Sequence, residues 1–163
     1  MISNVLSEVV RRTKELVELE QRFLNGDTSE FKNFRLLKKL EARGFSREEI
    51  INRIKLCLRE VMRSGKLGGV DVFTIKFVRF AEALSKALSM NIKSIPLRKS
   101  YLIQFALYEL MKELNCEIVL VRKSPSRKAM VIYILKEVPQ NLETLVDQGY
   151  EPLLINLQKV CMS

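Results

Sequence analysis

Residues 116–136 read CEIVLVRKSPSRKAMVIYILK. Two runs rich in Val, Ile and Leu flank the short polar segment Ser124-Pro125-Ser126-Arg127, which is the pattern of a β-hairpin. Its tip gathers Arg122, Lys123, Arg127 and Lys128 within seven residues. Near the base both strands are apolar on both faces: Ile118, Val119, Leu120 and Val121, then Met130, Val131, Ile132, Ile134 and Leu135. A sheet wet on one side alternates. The base of this hairpin is therefore expected to be covered on both sides, with only the tip in water. A short helix over 142–148, stopped by Gly149, leads to residues 152–159, where Leu153, Ile155 and Leu157 alternate. That alternation predicts a third strand beside the hairpin, with a short helix as the competing reading.

The segment before the hairpin predicts a helix over 98–115. Ile103, Ala106 or Leu107, Leu110 and Leu114 would face inward. Tyr101, Gln104, Tyr108 and Lys112 recur at three- and four-residue steps on another face, with Arg98 and Lys99 at its entrance. Such a face offers hydrogen-bonding and stacking groups to a nucleic-acid groove. Glu109 and Glu113 would lie toward the far end. Residues 92–97 read as extended, because Pro96 disfavours helix at Ile95.

Upstream, residues 2–24 predict an amphipathic helix. Ile2, Val5, Leu6, Val9, Leu16 and Phe23 form its stripe, Thr13 interrupts it, and Asn25-Gly26-Asp27 ends it. The stripe suits packing within the chain or pairing with a second copy. Ser29 caps a second helix carrying Phe31, Phe34, Leu37 and Leu40, which stops at Gly44. Ser46-Arg47-Glu48-Glu49 is a capping box that opens a third helix over 46–64. Ile50, Ile54, Leu58 or Cys57, and Val61 form its inner face, while Lys55, Arg59, Arg63 and Lys66 form a basic ridge. The joint at 37–54 resembles a helix-turn-helix. Leu40 occupies a position that wants a small residue, and Glu48 and Glu49 would repel phosphates, so the segment reads as a plain αα-hairpin. Gly65 and Gly68-Gly69 mark a loop. Asp71 then caps a fourth helix over 72–90 with Phe73, Phe77, Phe80 or Ala81, Leu84 and Leu88 on one side.

The 163 residues carry 28 Lys+Arg against 19 Asp+Glu, a net +9. The excess is uneven. Residues 46–115 hold thirteen basic and seven acidic groups and 116–136 five and one, whereas 137–163 hold one and four. A surplus in that place points to nucleic acid or another acidic partner. The chain has no histidine, which removes the commonest general base and metal ligand. Cys57, Cys116 and Cys161 lack paired spacing, so neither a zinc site nor a disulfide framework is expected. No glycine-rich phosphate loop follows a strand. The expectation is a protein without catalytic residues, metal or cofactor. The N-terminus lacks the pattern of a signal peptide and no apolar run approaches membrane-spanning length, so a cytoplasmic, intracellular protein is expected.

The extended segment 92–97, the helix 98–115 and the basic hairpin 116–136, supported by the third and fourth helices, resemble the recognition-helix-and-wing half of the winged-helix DNA-binding superfamily over about 90 residues. The long connection 90–97 departs from the usual short turn. The resemblance implies a mostly α fold with a small antiparallel β-hairpin or sheet, an α+β class. It divides the chain into an N-terminal helical hairpin over 1–45, a winged-helix-like core over 46–138 and a tail over 139–163 packed on the hairpin. By that resemblance Arg98, Lys99, Tyr101, Gln104 and Tyr108 address a DNA groove, and Arg122, Lys123, Arg127 and Lys128 address phosphate. Lys55, Arg59 and Arg63 add backbone contacts. The function expected is a regulator that binds duplex DNA in preference to RNA, with residues 2–24 as the dimer or partner contact. The alternative is a non-catalytic subunit of a replication, transcription or RNA-guided complex. A module that meets an acidic protein without nucleic acid is a third reading.

Overall fold

A computed structural model describes residues 4–27, 29–31, 35–90, 97, 100–123 and 130–160. The fold is α+β. Helices α1 (Asn4–Leu24), α2 (Arg35–Ala42) and α3 (Arg47–Val61) precede the hairpin β1 (Arg63–Leu67) and β2 (Val70–Lys76). Then come α4 (Phe77–Leu88), α5 (Tyr101–Glu113), β3 (Ile118–Lys123), β4 (Met130–Leu135), α6 (Leu142–Asp147), β5 (Glu151–Ile155) and α7 (Leu157–Val160). The strands make one antiparallel sheet in the order β1-β2-β4-β3-β5.

The two apolar runs form the expected hairpin, paired from Ile118↔Leu135 to Lys123↔Met130. They are the central strands, with β2 added to β4 and β5 added to β3. Strands apolar on both faces need cover on both, and central strands receive it. On one face Ile75, Val119, Val121, Ile132 and Ile134 join a cluster with Ile54 and Leu58 of α3, Phe80 and Leu84 of α4, and Phe105 and Leu110 of α5. On the other, Val72, Ile118, Leu120 and Leu135 lie with Leu142 and Leu145 of α6 and with Tyr150.

The helix expected over 72–90 is a strand followed by a shorter helix, and the loop around Gly65 is the strand β1. Gly68 and Gly69, at φ +58° and +79°, form the two-residue connection between the pair Leu67↔Val70. Two positive φ values in succession match the right-handed twist of the flanking strands. Val70, Val72, Thr74 and Ile75 then favour extended backbone. Phe73 only imitates the helical spacing of Phe77 and Phe80.

The N-terminal segment is part of the same core. Leu16, Phe23, Phe31, Leu37 and Leu40 join the cluster that holds Ile54 and Phe105. The stripe offered as a dimer contact is thus largely consumed within the chain: Val9, Leu16 and Phe23 are buried, and Ile2 lies outside the described residues. Phe34 and Cys161 also lie outside them. Ser46 caps α3 as expected, its hydroxyl accepting from Glu49 N at 3.2 Å and donating to Glu49 Oε1 at 3.1 Å. The segment 152–159 divides: its first half is strand β5 and its second half is α7, turned by the buried Asn156, whose Nδ2 donates to Cys116 O at 2.9 Å.

Candidate nucleic-acid interface

The register brings cations together at one end of the sheet. Lys76 and Arg122 both pair with Val131, so the three stand in one row. Two rows inward, Arg63 pairs with Thr74, Thr74 with Tyr133, and Tyr133 with Leu120. Paired residues and residues two apart share a face. Arg63, Thr74, Lys76, Arg122, Val131 and Tyr133 therefore occupy the same face. Further along it α6 covers Val72 and Leu135. Here the face opens: Arg63 and Lys76 are exposed, and Thr74, Val131, Tyr133 and Arg122 are half-buried.

Arg122 is held in place. Its guanidinium lies 4.7 Å from the ring centre of Tyr150 and donates to the Tyr150 hydroxyl at 3.1 Å. The rings of Tyr133 and Tyr150 meet edge to face at 5.3 Å. Burial, then the hydroxyl of Tyr150, pushes the Tyr133 phenol above its usual range. Both rings are thus committed to the packing that carries the cation.

Beside this row a cleft of about 260 Å³ is lined by Glu60, Val61, Met62, Arg63, Thr74, Lys76 and Arg79. The end of α3, the β1–β2 pair and the first turn of α4 supply these residues. Thr74 Oγ1 donates to Arg63 O at 3.3 Å and so fixes the wall. Among the described residues Arg63, Lys76 and Arg79 form no ion pair. Residues 124–129, with Arg127 and Lys128, lie outside the described residues.

The structure redistributes the residues expected to bind. Arg98 and Lys99 lie outside the described residues, as does the extended segment before them apart from Leu97. The open reading face expected on α5 is not there. Gln104 is buried and donates from Nε2 to Leu97 O at 2.9 Å, and Tyr108 is buried as well. Of the three, Tyr101 alone is exposed, its ring stacked 6.5 Å from Phe105. The reason is that Leu102, Ile103, Phe105, Ala106, Leu107, Leu110 and Met111 spread apolar side chains around most of the helix, whose charged residues Glu109, Lys112 and Glu113 stand only in its C-terminal half, so the N-terminal half goes inside. The ridge on α3 is tied into ion pairs. Lys55 Nζ and Arg59 Nη2 meet opposite oxygens of Glu113 at 2.5 and 2.8 Å, and these two bonds hold the Glu113 carboxyl below its usual range. Arg63 leaves that ridge, since α3 ends at Val61, and becomes part of the cleft. Lys123 ends β3. Lys76, Arg79, Thr74 and Tyr133 are additions, and for the β2 pair the signal lies in the alternation of Val72, Thr74 and Lys76 with Phe73 and Ile75.

Two other places hold ionisable groups. A cavity of about 500 Å³ between α1, α5 and β5 has mixed charge: Arg12 and Arg22 with Glu15, Glu18 and Glu30, the last paired with Arg22 at 2.5 Å. Between α1 and α5 the buried Glu20 is hydrogen-bonded to Glu109, which Lys112 meets at 3.1 Å. Burial, then the charge of Glu109, pushes the Glu20 carboxyl up to about 8, so near neutrality Glu20 is largely protonated. Among the described residues no group of Cys, Asp or Glu is placed to hold a metal ion, and no helix is long and apolar enough to cross a membrane. No protein-family model matches the chain, and comparison with curated proteins and with solved structures finds no match.

Proposed function

We propose that the protein binds nucleic acid through its phosphate backbone, at the end of the sheet formed by Arg63, Lys76, Arg79 and Arg122. The observation that carries this reading is the convergence in one cleft of three cations that no carboxylate among the described residues pairs, while Lys55, Arg59 and Lys66 elsewhere are tied to Glu113 and Asp71. Free cations on a rigid scaffold displace condensed counterions from a phosphate chain without first breaking an internal pair. The net +9 and the basic hairpin segment favour the same partner. With α5 buried, binding addresses phosphates and positions the strand without reading base edges. A backbone-binding role of this kind suits a non-catalytic subunit of a nucleic-acid complex better than a sequence-specific regulator. The test is a salt titration of binding by fluorescence anisotropy with the triple variant Arg63→Ala, Lys76→Ala, Arg79→Ala. Affinity should fall, and the slope against log salt should flatten by about one for each phosphate no longer neutralised. A slope identical to that of the unaltered protein refutes the assignment.

A further inference from the structure

We infer that the cleft beside α4 receives a terminal phosphomonoester, the phosphorylated end of a nucleic-acid strand, in preference to an internal phosphodiester. The inference rests on the nucleic-acid reading above and narrows it. It starts from the charge of the walls. Arg63, Lys76 and Arg79 contribute three positive charges and Glu60 one negative, a net of two. An internal diester carries one negative charge. A monoester carries close to two near neutral pH, so it matches the cleft and the diester leaves it underneutralised.

Shape agrees with charge. At about 260 Å³ the cleft has room for a phosphate group and its bridging oxygen. It is closed on one side by Val61 and Met62, both half-buried against the core. Its polar walls come from three elements fixed by the sheet, so the cations are held apart and aimed at a common space. Lys76 immediately precedes α4 and Arg79 stands in its first turn, where no acidic side chain occurs. Glu60 makes no ion pair with any of the three cations. Its carboxylate is left to accept from a hydroxyl of the terminal sugar. The row Lys76, Val131, Arg122 then continues across the sheet from the mouth of the cleft and offers a path for the rest of the strand.

The test compares one single-stranded oligonucleotide in three forms: 5′-phosphorylated, 3′-phosphorylated and hydroxyl-ended. Binding is read by fluorescence anisotropy of a label at the other end. One phosphorylated form should bind about tenfold tighter than the hydroxyl-ended form, the gain expected of a further charge-assisted hydrogen bond. Which form it is identifies the strand end. The advantage should shrink below about pH 6, where the monoester loses its second charge. Arg79→Ala and Lys76→Ala should each abolish the advantage, and Lys39→Ala, an exposed cation on α2, should keep it. Equal binding of all three forms overturns the end-recognition inference while backbone binding stands. Binding of none overturns both.

Discussion

Thr13 of α1 and Ile155 of β5, 142 residues apart, are joined by a buried hydrogen bond: the Ile155 N–H donates to Thr13 Oγ1 at 3.1 Å. The Thr13 hydroxyl in turn donates to Val9 O at 2.8 Å. At the preceding position of α1, Arg12 Nη2 donates to Pro152 O at 2.6 Å. β5 is an edge strand, and an edge exposes unpaired backbone groups that invite another chain. Side chains of α1 occupy those groups. The residue that interrupts the apolar stripe of α1 is therefore the one that closes the sheet.

Replacing Thr13 by Val keeps the shape and strands a buried donor. Stability should fall by about 1–3 kcal/mol, read as a lower urea midpoint. Thr13→Ser should recover most of the loss. If Thr13→Val unfolds at the same urea concentration as the unaltered protein, the bond does not matter.

The protonation of the buried Glu20 makes stability depend on pH. A free glutamate ionises near 4.5, and Glu20 does so at about 8 in the fold. The folded state favours the protonated form, so this contribution is fully present below about pH 4.5 and is lost as pH rises through about 8. The loss within that window approaches about 1.4 kcal/mol per pH unit. Glu20→Gln, neutral at every pH, should flatten the profile and exceed the unaltered protein in stability at about pH 9. Parallel profiles for the two proteins would be the contrary result.

The β1–β2 turn discriminates between two adjacent glycines. Alanine at either is strained, by about 1 kcal/mol, because φ is positive. At Gly69 a Cβ meets nothing within 4 Å, whereas at Gly68 it would stand 3.1 Å from Asn141 Oδ1, at the N-terminus of α6. Gly68→Ala should therefore lower the melting temperature more than Gly69→Ala. The reverse order would mean that α6 yields freely.

Lys55 and Arg59 should be silent in nucleic-acid binding. Both are already held by the Glu113 carboxylate, which leaves one net positive charge between them. The double variant Lys55→Ala, Arg59→Ala should leave the salt slope unchanged and cost less than about 1 kcal/mol of stability, the range of exposed pairs. A slope as flat as that of the cleft triple variant would restore the α3 ridge as a binding surface.

How far the chain can be read by itself varies from element to element. The capping box at Ser46 needs only four residues, and it marks the start of α3 plainly. The apolar faces of 118–123 and 130–135 declare both the hairpin and its double cover. Gly68-Gly69 also carries its message locally, as a two-residue turn between strands, but the helical spacing of three phenylalanines obscures it. The candidate site is less legible. Arg122 and Arg63 stand out in the sequence as cations available to phosphate, while Lys76 and Arg79 read as solvated residues of one long helix that in the fold begins only at Phe77.

By itself the sequence determined what depends on near neighbours: caps, turn chemistry, strand periodicity, the α+β class and the overall positive charge. Only the tertiary structure decided which polar groups stay free. Gln104 and Tyr108 are inside because α1, α3 and the sheet surround α5, and no local pattern records that enclosure. Lys55 and Arg59 are ion-paired because Glu113, more than fifty residues away, reaches both. Arg63, Lys76 and Arg79 stay free because, among the described residues, the fold brings no carboxylate within pairing distance of them. Burial and charge pairing are properties of everything within a few ångströms, and the fold, not the order of residues, sets that neighbourhood.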